Sequence, residues 1–201
     1  KRGDVMRQIV ITVGRRYGSG GHEIGQKLAE RLGIPFYDRE LVELAAEKSG
    51  IDEGILAIYN ERKGNSSLLK TKSGTGNRPL GDLLFQTQSQ IIQELADRGS
   101  CVIIGRCGDY VLRDREDVFS VFVTAPMASR VQRIMERNRM SLEDAQAAVE
   151  KVDSQRREYY EHFSGKKWGE IDGYDLIVDS SVLGVEGTVN LLAGGFEAVS
   201  D

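Results

Sequence analysis

The order of apolar and polar positions along the chain predicts an alternation of strands and helices. Five short runs, rich in β-branched and other apolar residues, are typical of strands buried on both faces. They are residues 8–13 (QIVITV), 34–38 (IPFYD), 101–105 (CVIIG), 118–124 (VFSVFVT) and 174–181 (YDLIVDSS). Parallel strands need helical crossovers that pack back on the sheet, so this order predicts an α/β fold in which a five-stranded parallel sheet carries helices on both faces.

The intervening segments carry helical signals. Ile24, Leu28 and Leu32 share one helical face, and Gly33 is placed to end that helix. Ser141 and Asp144 form a capping pair that predicts a helix from there to about His162. The other predicted helices cover residues 39–50, 83–98 after a possible cap at Asp82, 125–139, and 185–199, the last weakened by its glycines.

Composition limits the classes of protein that fit. The chain has 201 residues, 40% hydrophobic and 29% charged, which favours one domain over 1–201, with residues 60–80 read as a long mobile loop. A net charge of −4 argues against nucleic-acid and anionic-membrane partners. Two cysteines without CxxC spacing favour neither a disulfide scaffold nor zinc, and no apolar run approaches the roughly 20 residues of a membrane span, so we expect a cytoplasmic protein.

A glycine-rich turn, GRRYGSGGHEIG at residues 14–25, lies between the first predicted strand and helix. Gly18, Gly20 and Gly21 can take positive φ, so that backbone N–H groups and the helix N-terminus face an anion. The usual GxxxxGK[ST] pattern has Lys where this chain has Gly21, and Arg15 and Arg16 are the nearby cations that could compensate. From the residues alone, an ordinary strand-to-helix turn remains the alternative.

Arginines supply a second group of candidates. Arg130, Arg133 and Arg137 share one helical face, and Arg156 and Arg157 follow in the next helix beside Asp153. Such cations can spread the charge of a transferring phosphoryl group, whereas the alternative is a solvated face of surface ion pairs. Two further residues lie at the carboxyl ends of predicted strands, at the sheet edge where ligands bind: Asp38 ends the second strand and Arg106 directly follows the third. Asp38 can equally cap the next helix.

Four segments together resemble cytidylate kinases, and most closely the cytidylate kinase-like group whose loop reads GSGG. They are ITVGRRYGSGGHEIGQKLAERLGIPFYDRE, CVIIGRCGDYVL, FVTAPMASRVQRIMERNRMS and VDSQRREYY, within about residues 8–190. The resemblance implies a P-loop nucleoside monophosphate kinase fold that uses ATP and Mg²⁺. It also implies an acceptor-binding helical insertion over 39–98, which includes the loop 60–80, and an Arg-bearing helical lid at about 137–157.

The resemblance also implies roles for individual residues. Arg106 would grip the acceptor phosphate, Asp153 would orient the acceptor, and Asp38 and Arg39 would complete its site. Arg156 would face the transferring phosphate, with Arg130 and Arg157 as further catalytic cations. The donor phosphates would be held by Arg15, Arg16, Gly18, Ser19, Gly20, Gly21, His22 and Glu23.

Two departures from the family pattern bear on activity. Gly21 replaces the Lys that bridges donor phosphates, and Glu23 lies near the position of the hydroxyl that helps to hold Mg²⁺. The leading hypothesis is ATP-dependent phosphoryl transfer to a nucleoside monophosphate, with CMP or dCMP as acceptor. The alternatives are a kinase for another small molecule and a nucleotide-binding regulatory module with weak or no turnover. The sequence assigns no Mg²⁺ ligand and no oligomeric state.

Overall fold

A computed structural model describes residues 7–38 and 80–200 of the chain. Within these ranges, five strands form one fully parallel sheet in the order β2-β3-β1-β4-β5. The strands are β1 (Val10–Arg15), β2 (Phe36–Tyr37), β3 (Cys101–Ile104), β4 (Val118–Thr124) and β5 (Leu176–Asp179). Val10 lies in register with Cys101 of β3 and with Val118 of β4, which makes β1 the central strand. All five predicted strands are confirmed.

Helices connect the strands and are numbered in chain order. They are α1 (Gly21–Leu32), α2 (Leu80–Arg98), α3 (Gly108–Val111), α4 (Met127–Asn138), α5 (Leu142–Ser164) and α6 (Ser180–Ser200). The predicted helix 39–50, the loop 60–80 up to its last residue and most of the insertion 39–98 lie outside the described residues. Because α2 begins at Leu80, Asp82 lies in its first turn and does not cap it.

Helix ends follow the predicted signals. Gly33 follows α1 with a φ of 65°, and its N–H donates to the carbonyl oxygens of Ala29 and Glu30. Before α5, the Ser141 hydroxyl accepts a hydrogen bond of 3.1 Å from the amide of Asp144. The short helix α3 has no counterpart among the predictions, because four residues are too few to show a helical period.

The core lies on both faces of the sheet. On one face, Ile11 and Val13 of β1 belong to a cluster with Ile24 and Leu28 of α1, and Leu192 of α6 joins them. On the other face, the cluster around Val10 contains Ile91, Ile92 and Leu95 of α2. Successive residues of a strand point to opposite faces, so β1 serves both clusters. This arrangement confirms the predicted sheet with helices on both faces.

Helix α6 is long and apolar enough, by length and composition, to count as a candidate membrane span, whereas the sequence pattern predicted none. Its 21 residues include only two charged side chains, Glu186 and Glu197. Val189 and Phe196 are buried in the sheet cluster, so one face of the helix belongs to the core. Gly184, with φ 66° and ψ −177°, interrupts the helix, and the predicted start at Val185 matches the part after this kink.

Helices α4 and α5 form an antiparallel hairpin with a small core of its own. Val131 and Ile134 of α4 pack against Ala145 and Val149 of α5, and the ring of Tyr17 packs against this cluster. Tyr17 belongs to the turn between β1 and α1. The hairpin core therefore lies next to the glycine-rich turn and positions the arginines of both helices relative to it.

Candidate active site

The glycine-rich turn has the conformation that its sequence predicts. Gly18 and Gly20 adopt φ values of 82° and 81°, a region that favours glycine. Gly20 is the N-cap of α1 and makes no side-chain cap, although the Gly21 N–H donates a long hydrogen bond of 3.4 Å to the Ser19 hydroxyl. The N–H groups that follow in the first turn and the positive dipole end of the helix can face an anion. Gly21, for which positive φ was also expected, is instead the first residue of α1.

Two serine hydroxyls fix the turn. Ser19 donates 2.8 Å to the carbonyl oxygen of Arg16, within the turn itself. Ser180, buried at the start of α6, donates 2.6 Å to the carbonyl oxygen of Ser19 and lies 3.2 Å from that of Thr124. Sequence reasoning missed Ser180. Its only signal is a hydroxyl directly after the last strand, at the edge where the turn also lies.

Arg130 and Asp153 form a buried ion pair beneath the turn. Arg130 Nη1 donates 2.7 Å to Asp153 Oδ2, and the two side chains are 3% and 6% exposed. Arg130 also donates 3.0 Å to the carbonyl oxygens of Tyr17 and Ala125, and the amide of Tyr17 donates 2.8 Å to Asp153 Oδ1. The sequence suggested substrate contacts for both residues, but here they bind each other and the backbone of the turn.

A pocket of about 730 Å³ opens over the turn. Among the described residues, five arginines and three carboxylates line it, so this part of the lining carries positive charge although the whole chain carries −4. The described residues that line it are Arg15, Arg16, Tyr17, Gly18, Gly20, Gly21, His22, Glu23, Asp38, Arg133, Glu136, Arg137 and Arg156. Most of the predicted donor-site residues, together with Asp38 and Arg156, are thus brought together, whereas Arg130 and Asp153 lie outside this lining.

Arg15 is a largely buried cation of the pocket lining, and its pKa differs from the ordinary value of an arginine. Burial, together with repulsion from Arg156 and Arg106 and against the attraction of Asp38, lowers the pKa of Arg15 from 12.5 to about 9. This value keeps the guanidinium protonated at neutral pH. Its Nη2 lies 3.9 Å from Asp38 Oδ1, and its Nε is buried without a hydrogen-bond partner in the described part of the chain.

Arg156 reaches the turn from α5. Its Nη1 donates 2.9 Å to the carbonyl oxygen of Arg15, and its guanidinium carbon lies 5.6 Å from the centre of the Tyr17 ring. Burial lowers the pKa of Arg156, the carboxylates of Asp153 and Asp38 raise it, and Arg106 lowers it. Arg106 lies two residues after the end of β3, with a φ of 56°. Arg15, Arg106 and Arg156 therefore form one cluster of mutually repelling cations beside Asp38.

The start of α1 and the end of β2 meet at the sheet edge although β3 lies between β1 and β2. His22 Nε2 lies 2.9 Å from Asp38 Oδ2, which links the first turn of α1 to the end of β2. Arg16 stacks over Trp168, with 5.9 Å between its guanidinium carbon and the ring centre. Arg39 lies outside the described residues.

The predicted lid, residues 137–157, comprises the end of α4, the following turn and most of α5. Arg137 donates 3.0 Å to the Tyr17 hydroxyl, and Arg133 lies 3.8 Å from Glu23. Both line the pocket, and their shared helical face had already made them candidates in the sequence. Arg157 is exposed and lies outside the described pocket lining.

The pocket residues offer different groups to Mg²⁺ and to the phosphates of a nucleoside triphosphate. Among the described residues, no group of three or more His, Cys, Asp or Glu side chains is spaced to hold a metal. Mg²⁺ in phosphoryl-transfer enzymes commonly binds one or two carboxylates plus the substrate phosphates, and Glu23, Asp38 and Glu136 line the pocket. The helix N-terminus and the arginines suit the phosphates themselves.

Comparison with known proteins identifies the family and the fold of this chain. The sequence model of the Cytidylate kinase-like family matches residues 10–182. A cytidylate kinase of Ignicoccus hospitalis is 26% identical over 184 residues, which cover 91% of this chain and 96% of that protein.

Solved structures are similar over nearly the whole chain. An uncharacterized protein from Eubacterium ventriosum has a TM-score of 0.74 at 25% identity, covering 95% of this chain and 99% of the other. A shikimate kinase from Bacteroides thetaiotaomicron has a TM-score of 0.56 at 14% identity, covering 94% and 99%, and so shares the fold. The sheet order and these likenesses identify a P-loop kinase fold. With a family match across most of its length, the chain belongs to the cytidylate kinase-like family.

Proposed function

We propose that the protein transfers the γ-phosphoryl group of ATP to a nucleoside monophosphate, with CMP or dCMP as the preferred acceptor. Membership of a kinase-like family supports a phosphotransferase, and relatives named cytidylate kinase support this class of acceptor. The observation that carries the proposal is the positive pocket over the glycine-rich turn, at the carboxyl ends of β1 and β2. Phosphoryl transfer depends mainly on positioning and charge stabilisation, which such a pocket supplies.

The donor phosphates would lie on the turn. The N–H groups at the start of α1 would donate hydrogen bonds to the phosphate oxygens, and Arg16 and Arg133 would balance the charge of the phosphates. Ser180 and Ser19 hold the turn in the required conformation before the donor binds. Bound Mg²⁺ would neutralise further phosphate charge, held by pocket carboxylates such as Glu23 and by the nucleotide.

The acceptor would lie at the ends of β2 and β3. Arg106 would bind its phosphate, and Asp38, already paired with His22, would contact its polar groups. Arg39 and other residues of the insertion 39–98 would complete this site, as the family resemblance implies. The acceptor phosphate would then face the donor across the cluster formed by Arg15, Arg106 and Arg156.

Arg156 would stabilise the charge that develops during transfer. It is hydrogen-bonded to the carbonyl oxygen of Arg15 and lines the pocket, so it can reach a phosphate held there. Arg157, its exposed neighbour, is assigned no contact with the transferring group in this scheme. Arg130 and Asp153 are positioning residues, because their buried pair holds the turn against the hairpin of α4 and α5. Closure of residues 137–157 would expel water and limit ATP hydrolysis.

A coupled assay of ADP release with MgATP and a panel of monophosphates tests this proposal. Saturable turnover with CMP or dCMP, above the ATPase rate without acceptor, is the expected result. Arg156→Ala should lower kcat by about 10³-fold with little change in ATP affinity. Arg157→Ala is the matched control, one residue away on the same helix, and should stay within about threefold of the wild type.

The second candidate is a nucleotide-binding regulatory module, favoured by the Gly at position 21 in place of Lys. ATP binding without turnover of any acceptor would support it and contradict the kinase. Turnover of a different small molecule would retain the kinase chemistry and replace only the acceptor. The same assay, extended to other small-molecule acceptors and combined with a measurement of ATP binding, therefore separates the three hypotheses.

A further inference from the structure

The glycine-rich turn departs from the usual phosphate-loop pattern at three positions, one of which is His22 in place of the Ser or Thr. Aligned to GxxxxGK[ST], residues 15–22 read RRYGSGGH. Arg15 thus stands at the first Gly of the pattern, and Gly21 stands at its Lys. The cation and the glycine of the pattern occupy each other's positions.

The structure brings these two positions into direct contact. A Cβ atom on residue 21 would lie 2.6 Å from Arg15 Cβ and 3.1 Å from Arg15 Cγ, with Val123 Cβ at 3.2 Å. These atoms are close to the backbone of β1 and β4, where they cannot move without shifting a buried strand. Only one of the two positions can carry a side chain in this packing. With Arg15 in place, position 21 must therefore be a glycine, so Gly21 reflects the packing of Arg15 and not simply the absence of a lysine.

The Arg15 side chain crosses the sheet edge towards β3. Its Nη1 occupies the space that a Cβ on Gly105 would need, directly before Arg106. The Arg15 side chain is 18% exposed and lines the pocket, and its one described ion pair is a long contact of 3.9 Å with Asp38. The Nε donor is buried and unpartnered within the described residues. A cation with spare donor capacity thus lies between the turn and Arg106.

We propose that Arg15 is the phosphate-loop cation of this protein, transferred from the Lys position to the first Gly position of the pattern. Resting on the proposed function, this assigns Arg15 to the terminal phosphate of the donor, on the side that faces the acceptor. A guanidinium can bind two oxygens at once, which suits a group that passes from donor to acceptor. Arg16, which stacks on Trp168 at the rim, is left to a secondary role.

Reciprocal variants of the full chain test the exchange: Arg15→Gly, Gly21→Lys and the double variant. Titration calorimetry with MgATP should show at least tenfold weaker binding for Arg15→Gly. Gly21→Lys alone should lower Tm by about 5 °C or more, because two side chains compete for one space. The double variant should recover both the Tm and an affinity within about fivefold of the wild type, as expected for coupled residues.

Arg113→Gly is the control for loss of one exposed arginine and should leave MgATP binding unchanged. The exchange is overturned if Arg15→Gly binds MgATP within twofold of the wild type, or if the double variant behaves as the sum of the two single ones. Binding is measured without acceptor, so wild type that binds MgATP but lacks turnover contradicts the kinase and leaves this comparison intact. Wild type that fails to bind MgATP contradicts both.

Discussion

The amide of Tyr17 donates a 2.8 Å hydrogen bond to Asp153 Oδ1, which joins the glycine-rich turn to α5 across 136 residues of sequence. The other oxygen of the same carboxylate accepts from Arg130 at 2.7 Å. One buried side chain thus ties the phosphate-facing turn to both helices of the hairpin. The conformation of the turn depends on this carboxylate as well as on its own glycines.

Asp153→Ala should destabilise the protein strongly, because it leaves the Arg130 guanidinium buried without its carboxylate. Breaking a buried pair in this way costs about 3–5 kcal/mol, which urea denaturation would measure. Replacing both partners by apolar residues, as in Arg130→Met with Asp153→Leu, should cost less than the single change. An Asp153→Ala variant as stable as wild type but inactive would show that the carboxylate acts on substrate.

Gly18→Ala should disrupt the turn far more than its φ alone would predict. A Cβ there would lie 2.6 Å from the carbonyl oxygen of Arg130, and φ is 82°. The matched control is Gly33→Ala, at φ 65° with nothing within 4 Å of the added atom. Positive φ should cost about 1 kcal/mol in both variants, and thermal unfolding should show a clearly larger loss for Gly18→Ala. Equal losses would mean that the close approach carries no cost.

Ser180→Ala should make the glycine-rich turn less rigid, because it removes the hydrogen bond from Ser180 to Ser19. The variant leaves the carbonyl oxygen of Ser19 without its 2.6 Å donor in a buried setting, which costs about 1–3 kcal/mol. Weaker MgATP binding should accompany the loss, since the turn then samples other conformations. Ser181→Ala removes an exposed hydroxyl that bonds only Asp179 among its described partners, and should change neither stability nor binding appreciably. Identical behaviour of the two variants would refute the role of Ser180.

The free energy of unfolding should fall at alkaline pH because the buried thiol of Cys101 resists deprotonation in the folded protein. Burial raises the pKa of this thiol from 9.0 to about 12, so the unfolded chain releases the proton at a lower pH than the folded protein. Stability from the protonated thiol is fully present below pH 9.0 and is lost as pH rises towards 12, by up to about 1.4 kcal/mol per pH unit. In Cys101→Ala, unfolding between pH 9 and 11 should depend less steeply on pH. An unchanged slope would contradict the assignment.

The sequence predicted the sheet well because its strands are short, apolar and separated by helices. Residues 118–124 were expected as a strand and form β4 with the same bounds. The edge strand β2 is shorter than the predicted 34–38, since only Phe36 and Tyr37 pair with β3. Hydrogen bonding to one neighbour sets that length, and the residue pattern does not record it.

The sequence predicted the helices and strands more accurately than it predicted which of their residues line the pocket. Helical spacing placed Arg130, Arg133 and Arg137 on one face, and two of them do line the pocket. Arg130 is buried instead, because Asp153 on another helix pairs with it. The contact between positions 15 and 21 likewise depends on how β1 meets α1, so only the structure shows why glycine is needed there.

Transfer of a labelled phosphoryl group is the most direct test of the central claim. The wild-type protein would be incubated with Mg²⁺, ATP labelled in its γ-phosphate, and CMP, and the products separated. We expect label in CDP, with about 10³-fold slower transfer by Arg156→Ala and a nearly wild-type rate for Arg157→Ala. Label that stays in ATP or passes only to inorganic phosphate, with CMP and with every other acceptor tried, would contradict it.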